Sequence, residues 1–384
     1  MPSIDDCDDI AAWFYCLPLL TKQDLSKGLF DLPRSRYVRW HQTSGTTGRP
    51  LVVRDTAEDW NGWLDCWDRV LDAAVVTPDD VALMAFSFGP FIGFWTANDA
   101  LIRRGVSVIP GGGLPTLRRL ELLRDEGCTV LCATPTYALH MAAVARDSGM
   151  NFSDSRPLKM IVAGEPGGSI ESTRTLLQES FNATVIDHAG GSEVGAWGYG
   201  RVDGKGLHVI ESHFIAEVLQ LQPDGTLGGE VAMGETGELV ISNLCRPGGP
   251  VIRYRTGDIV RPAPSPDSDP NLFLQGGVIG RADDMVVIRG VNIFPSSVEA
   301  IVREVAPIAE YRVTLHRRSA MNQIDIELES APEIAARLET CLSTRLAMRV
   351  PVQAVPDGTL PRFEAKAKRW RTIGDANVES NFPN

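Results

Sequence analysis

The chain lacks the marks of several large protein classes. Its 7 cysteines are scattered at positions 7, 16, 66, 128, 132, 245 and 341, with no C-x-x-C pair and no Cys/His cluster. That pattern argues against a disulfide framework and a zinc site. Positive charge is scarce: 37 Lys+Arg face 49 Asp+Glu, a net charge of −12. A general nucleic-acid binder would show a basic face, although a local basic pocket for a small anion stays open. No apolar run approaches bilayer length, and the acidic first nine residues lack the basic start and apolar run of a signal peptide. A cytoplasmic protein with no nucleic-acid or membrane partner is the expectation. There are no internal repeats, no low-complexity segments and no Walker A loop of the G-x-x-x-x-G-K-[ST] form.

What is present is an organising loop: Thr43, Ser44, Gly45, Thr46, Thr47, Gly48, Arg49 and Pro50. Its two glycines, three apart, free the backbone to bend sharply. Its hydroxyls, its guanidinium and its backbone N–H groups can face a polyphosphate. A plain Ser/Thr/Gly surface loop is the competing reading.

The 384 residues suffice for a large domain and a smaller one. After the loop, Trp60, Trp63, Leu64, Trp67 and Leu71 recur at helical spacing and read as core. Continuous apolar strands then alternate with helices from 81 to 187, which predicts a largely parallel, two-sided sheet. Ligands on such sheets bind beyond the carboxyl ends of the strands. Two polar phrases fall there: Gly164, Glu165 and Pro166 after one strand, and His188, Ala189, Gly190, Gly191, Ser192 and Glu193 after the next. From 207 to 260 short β segments suggest a β-rich subdomain. Beyond 280 a compact α+β unit follows, its first helix opening at Pro295 with a candidate capping box from Ser296 to Glu299. The expectation is an α/β fold with an N-terminal domain over 1–280 and a small C-terminal α+β domain over 281–384.

Several residue types suit nucleotide chemistry. Asp258 stands behind Gly257 in Tyr-Arg-Thr-Gly-Asp, and a carboxylate there can accept two hydrogen bonds from a ribose diol, or simply cap a turn. Glu193 offers a hard oxygen for Mg²⁺, or a helix-start carboxylate. His188 can pack a flat ring on a base or substrate, or be an ordinary satisfied side chain. Four cations crowd residues 360–370, where one lysine can be delivered to a phosphate, or all can belong to a solvated tail.

In this order, the stretches TSGTTGRP, AGEP, HAGGSEVG, YRTGDIV, GRADDMVVIRGVNIFP and LPRFEAKAKRW resemble the adenylate-forming superfamily of acyl- and aryl-CoA synthetases. They are most similar to its phenylacetate–CoA ligase branch, as are LPLLTKQDL, FSFGPFIGFW and RGVSVIPGGG. The resemblance covers nearly the whole chain. It implies that a carboxylate attacks the α-phosphate of ATP, giving an acyl-adenylate and pyrophosphate, and that a thiol then displaces AMP. It implies further that residues 43–48 hold the β- and γ-phosphates and that Glu193 holds Mg²⁺. Gly164, Glu165, Pro166, Asp187, His188, Ala189 and Gly190 would border adenine. Asp258 would bind the ribose with Arg281 close by. Asp283 would be the hinge on which a mobile C-terminal domain turns, Gly290 would line the thiol tunnel after the turn, and Lys366 would neutralise the adenylation transition state. The acid would sit among Phe86, Phe88, Phe91, Phe94, Tyr137 and the 188–191 loop with Gly190 and Gly191. Those side chains suit a small aryl acid, although many of the phenylalanines belong equally well to a core.

Two departures from the pattern stand out. Ala189 occupies the place of an aromatic residue, and Ala365 that of the glycine before the lysine. The expected thiol is CoA. The rival enzyme readings are loading of a carrier-protein phosphopantetheine and transfer to an amine, which share the first half-reaction. A non-catalytic ATP- or acyl-adenylate-binding protein is the rival from another class.

Overall fold

The computed structural model describes residues 14–28, 32–43, 50–152, 155–266, 268–288, 291–317, 322–363 and 367–374. A short helix α1 (Lys22–Ser26) precedes an antiparallel hairpin of β1 (Tyr37–Gln42) and β2 (Val52–Thr56). Helix α2 (Ala57–Ala73) starts at once from β2, because Thr56 caps it and Asp59 completes the capping box. The spacing of Trp60, Trp63, Leu64, Trp67 and Leu71 is matched by their burial along one side of this helix.

The predicted alternation follows as β3 (Val81–Met84), α3 (Trp95–Arg103), β4 (Ser107–Pro110), α4 (Thr116–Asp125) and β5 (Val130–Ala133). It continues with α5 (Pro135–Asp147), β6 (Leu158–Ala163), α6 (Glu171–Phe181) and β7 (Ala183–Gly191). These five strands are parallel, in the order β7-β6-β5-β3-β4. Side chains alternate between two cores: Ala82, Met84, Val130, Cys132 and Ile186 face one, and Leu83, Leu131, Ala133, Val162 and Val185 the other.

The same sheet runs on beyond β7 with antiparallel strands: β8 (Gly195–Gly200) and β9 (Gly206–Val209) lie next to it. Outside them come β14 (Pro262–Ala263) and β15 (Phe273–Gln275), so nine strands form one mixed sheet. In the glycine-rich β8, Trp197 and Tyr199 are buried. A second sheet is antiparallel and five-stranded. It comprises β10 (Phe214–Leu221), β11 (Leu227–Glu230), β12 (Gly237–Asn243), β13 (Val251–Val260) and β16 (Gly280–Arg281). Because β16 pairs with β13, Arg281 stays with this sheet.

The remaining elements form the α+β unit. They are β17 (Val286–Ile288), β18 (Val291–Ile293), α7 (Pro295–Val305), β19 (Tyr311–Arg317), β20 (Gln323–Glu329), α8 (Pro332–Leu346), β21 (Val352–Val355) and β22 (Trp370–Gly374). They enclose a third core of their own. The capping box expected at Ser296 does not form. The helix opens at Pro295 as expected, with proline at N1 and Phe294 at the cap, two residues ahead of Ser296, whose hydroxyl donates instead to Ile279 O.

One connection matters for the site. Leu20 forms a parallel bridge with Tyr254 of β13, its N–H donating to Arg253 O and its carbonyl accepting from Arg255 N. The buried Arg253 guanidinium donates to the carbonyls of Tyr15 (2.7 Å) and Leu17 (2.6 Å), while its other nitrogens grip both oxygens of buried Glu217. A strap of residues 15–20 is thereby held on the second sheet, and α1 follows it.

Candidate active site

The organising stretch falls in sequence between β1 and β2 of the hairpin. Thr43 stands at its base, buried, with its N–H on Leu51 O (2.9 Å) and its hydroxyl accepting from Leu51 N (3.1 Å). Ser44, Gly45, Thr46, Thr47, Gly48 and Arg49 lie outside the described residues, as do Gly290 and Lys366.

Glu193 stands in the tight turn between β7 and β8, with Gly190 and Gly191 just before it. A Cβ on Gly190 would come within 2.8 Å of Gly195 O, so the turn closes only with glycine there. The Glu193 side chain is 13% exposed and pairs with Lys22 Nζ at 2.9 Å. Lys22 opens α1 and reaches the site because the strap sets α1 beside β13. Sequence reasoning gave this lysine no role. The one available signal was its place in the LPLLTKQDL phrase.

Asp258 lies in β13, not in a turn. The β12–β13 register shifts across residues 255–259, and Gly257 takes φ +76°, a left-handed conformation suited to glycine. This bulge re-aims Asp258 toward Arg281, whose Nη1 lies 3.0 Å from its carboxylate and 3.0 Å from Thr256 O. Arg281 Nε also donates to Asp283, 3.0 Å away and exposed. Burial opposes the Arg281 charge, but the Asp258, Asp283 and Asp284 carboxylates hold its pKa above the ordinary arginine value. Tyr254, four residues before Asp258 on β13, is buried within reach of the charges of both groups. Burial first, then the Glu193, Asp258 and Asp283 charges, push its phenol well above the usual value. Glu193 and Asp258, 65 residues apart in sequence, are thus both linked to β13, Glu193 through Lys22 on the helix that follows the Leu20–Tyr254 bridge.

A second group follows β6 and β7. Gly164 takes φ +95°, and the Glu165 carboxylate receives the N–H of Thr136 (2.7 Å) in the first turn of α5. Burial pushes the Glu165 carboxyl upward. Asp187 and His188 leave β7 on opposite faces. Asp187 accepts from Ser169 Oγ at 2.6 Å, and burial raises its pKa to about 6 despite that bond. His188 packs on Trp67 with ring centroids 4.4 Å apart. Its Nδ1 lies 2.7 Å from Gly198 O, so that nitrogen carries the proton, and burial lowers the pKa to about 4. Ala189 is half-buried beside it, leaving the tryptophan beneath His188 as the aromatic mass.

Of the acid-pocket candidates, Phe86, Phe88 and Phe94 share the core side on which His188 and Trp67 meet. The Phe86 ring stands edge-on to Phe88 (6.1 Å) and to Phe94 (5.4 Å), and Phe91 is 41% exposed nearby in sequence. Tyr137 is not brought to them. It is fully buried in the opposite core, its hydroxyl 3.0 Å from Thr116 Oγ1. As the third residue of α5, it packs against α4, with the Arg119 guanidinium over its ring.

Arg362, Phe363 and Arg369 flank residues 364–366 and face α5 across a cleft also lined by Thr136, His140 and Glu310. Arg369 is buried against Glu310 (2.6 Å) and Glu299 (3.3 Å), with the Tyr311 ring beneath it.

A divalent cation fits this donor set in a limited way. Among the described residues no group of three or more His, Cys, Asp or Glu gathers to hold a metal. Glu193 nevertheless presents a reachable carboxylate that already receives a cationic group. Mg²⁺ characteristically takes one or two carboxylates and completes its shell with phosphates and water.

Comparison with known proteins gives a consistent pattern. The model for "AMP-binding enzyme" matches residues 41–245, more than half of the chain, and that for "AMP-binding enzyme C-terminal domain" matches residues 290–371. The phenylacetate-coenzyme A ligase of Pseudomonas putida is 30% identical, over 91% of this chain and 82% of its own length. Among solved structures, 2-hydroxyisobutyryl-CoA ligase in its postadenylation state is 25% identical, covering 94% of this chain and 80% of its own, with a TM-score of 0.83. The same relative in its thioesterification state, with CoA, covers 93% of this chain and 80% of its own at 26% identity, but gives a TM-score of 0.64.

Proposed function

The chain belongs to the AMP-binding enzyme family, and from that premise we propose that it joins a small aryl carboxylic acid to CoA at the expense of ATP. It is an AMP-forming acid–thiol ligase: the acid is adenylated with release of pyrophosphate, and CoA then displaces AMP. The observation that carries the site assignment is that Asp258 with Arg281, and Glu193 through Lys22 on the helix after the Leu20–Tyr254 bridge, are both tied to β13. In this reading Asp258 takes the ribose hydroxyls, Arg281 orients it, and the loop residues 43–48 hold phosphates. Glu193 would hold Mg²⁺, which when bound neutralises phosphate charge. Lys366 supports the adenylation step from the small domain, and Gly290 borders the thiol path.

The aryl assignment is supported by the ring-lined wall of Phe86, Phe88 and Phe94 beside His188. Neutral His188 suits an apolar pocket, since its free nitrogen carries no charge to be solvated. The test is pyrophosphate exchange over a panel of acids, followed by thioester assay with CoA. Phenyl-substituted acids are expected to exceed short aliphatic acids. Equal activity with acetate would remove the aryl assignment, and exchange without thioester would remove CoA.

A further inference from the structure

The connection between β12 and β13 holds a buried polar cluster to which none of the roles above refers. Asp55, on β2, is fully buried, and Arg246 is 3% exposed. Arg246 sends both Nε (3.0 Å) and Nη2 (2.7 Å) to Asp55 Oδ1, and its Nη1 donates to the main-chain carbonyl of Glu193 at 2.8 Å. One residue further on, the Asn243 side-chain amide donates to Val194 O. The backbone of the Glu193 turn is therefore held at two successive residues, by Asn243 at the end of β12 and by Arg246 in the connection that follows.

The same loop is fixed to the hairpin. Trp63 Nε1 donates to Asp55 Oδ1 (3.3 Å), and His41, on the facing strand, places Nδ1 3.8 Å from Asp55 Oδ2. Gly248 N donates to Asp59 Oδ1 (2.8 Å), while Asp59 Oδ2 accepts from Thr56 at the start of α2. A Cβ at Gly248 would lie 2.3 Å from Asp59, so the approach requires glycine.

A buried ion pair is weak evidence for stability, because desolvation offsets its attraction. What this one does is join two parts of the site. Through Arg246, 191 residues from Asp55 in sequence, it ties the hairpin strands to the turn that carries Glu193. We propose that Arg246 is a positioning residue for the metal-binding carboxylate, oriented by Asp55, and that it fixes the Glu193 turn against the strands of the hairpin. The proposal rests on the reading of Glu193 as a Mg²⁺ ligand. Arg246 touches neither metal nor substrate. It acts by holding the carbonyl of the residue whose side chain does.

The test uses the full chain with a non-hydrolysable ATP analogue. Mn²⁺, as a paramagnetic probe for Mg²⁺, is titrated in and its bound fraction followed by electron paramagnetic resonance. Arg246→Met is expected to weaken Mn²⁺ binding about 10-fold or more, as loss of an outer-shell partner does. Arg246→Lys, which keeps the charge but cannot reach both partners with a fork, is expected to fall between Met and the parent, and it decides the matter if Arg246→Met does not fold. Thioester formation from supplied acyl-adenylate, which involves no pyrophosphate, should stay within about twofold, far below the 10-fold outer-shell effect. Glu193→Gln is run alongside. If it leaves Mn²⁺ binding unchanged, the metal role of Glu193 falls. If it weakens binding while both Arg246 variants match the parent, or if those variants lose thioester formation equally, the positioning role is overturned.

Discussion

Asp187 and His188 are neighbours whose burial acts in opposite directions with pH. His188, lowered to about 4, refuses a proton that the unfolded chain takes near 6.5. Its contribution is full above 6.5 and is lost as pH falls toward 4. Asp187, raised to about 6, takes up a proton in the folded state before the unfolded chain does at 3.8. Its ionised form costs stability at neutral pH, and that cost is relieved as pH falls through 6. Each effect is worth roughly 3 kcal/mol, so between pH 6.5 and 4 they largely cancel. Asp187→Asn removes one side of the balance. The variant should be more stable than the parent at pH 7 and should lose stability more steeply on acidification, as urea denaturation at several pH values would show. Parallel pH profiles would contradict the assignment. Asp258→Ala should weaken apparent ATP affinity by at least about 10-fold, since two charge-assisted hydrogen bonds of ~1.5–3 kcal/mol each are lost. Its melting temperature should barely move, because the pair with Arg281 is partly exposed and such pairs contribute little. Unchanged ATP affinity would refute the ribose role. Both carboxylates of the site were legible in the sequence because each follows glycines at a strand end or bulge. Lys22 and Arg246 were not, since each acquires meaning only from a partner more than 50 residues away.

Among the elements, the parallel strands and helices of residues 81–191 were readable from apolar runs and caps. Glycine-rich β8 offers no apolar run, and β13 was readable only in its first part, because Asp258 lies beyond a bulge that looks like a turn. The strap at residues 15–20 was equally hidden, being held through main-chain carbonyls that any sequence would offer. It supplies a prediction at this scale. Arg253→Met leaves buried Glu217 without its counter-charge and should cost about 3–5 kcal/mol. Adding Glu217→Gln should recover part of that loss in urea denaturation. The strap should remain released in both variants, because the carbonyls of Tyr15 and Leu17 have lost their donor, so limited proteolysis should cut near the N-terminus faster in each. Full protection of the strap in the double variant would show that Arg253 is not its anchor.

At the scale of the molecule, a relative of nearly constant identity fits this chain well in one of its states and poorly in another, so the difference lies in how its parts are set. On the proposed cycle the small domain, bearing Lys366, turns about Asp283 after adenylation and brings Gly290 to the thiol path. A placed ammonium that aids only the transition state is typically worth about 10²–10³ in rate. Lys366→Ala should therefore nearly abolish adenylation from ATP and acid, yet leave thioester formation from supplied acyl-adenylate close to normal. Gly290→Trp should do the reverse. Measuring both half-reactions in both variants decides it, and equal loss of both steps in Lys366→Ala would remove the turning model. The strap on β13 has a further consequence, in time instead of space. Tyr15 meets its anchor 238 residues later in the chain. At ribosomal speeds of about 5–20 residues per second, the N-terminal segment waits roughly 10 to 50 s for the strand it will dock on. For all but the last moments of that interval Trp63 of α2 lacks the Arg246 that covers its ring in the finished fold, so this apolar surface stays open until the β12–β13 connection emerges.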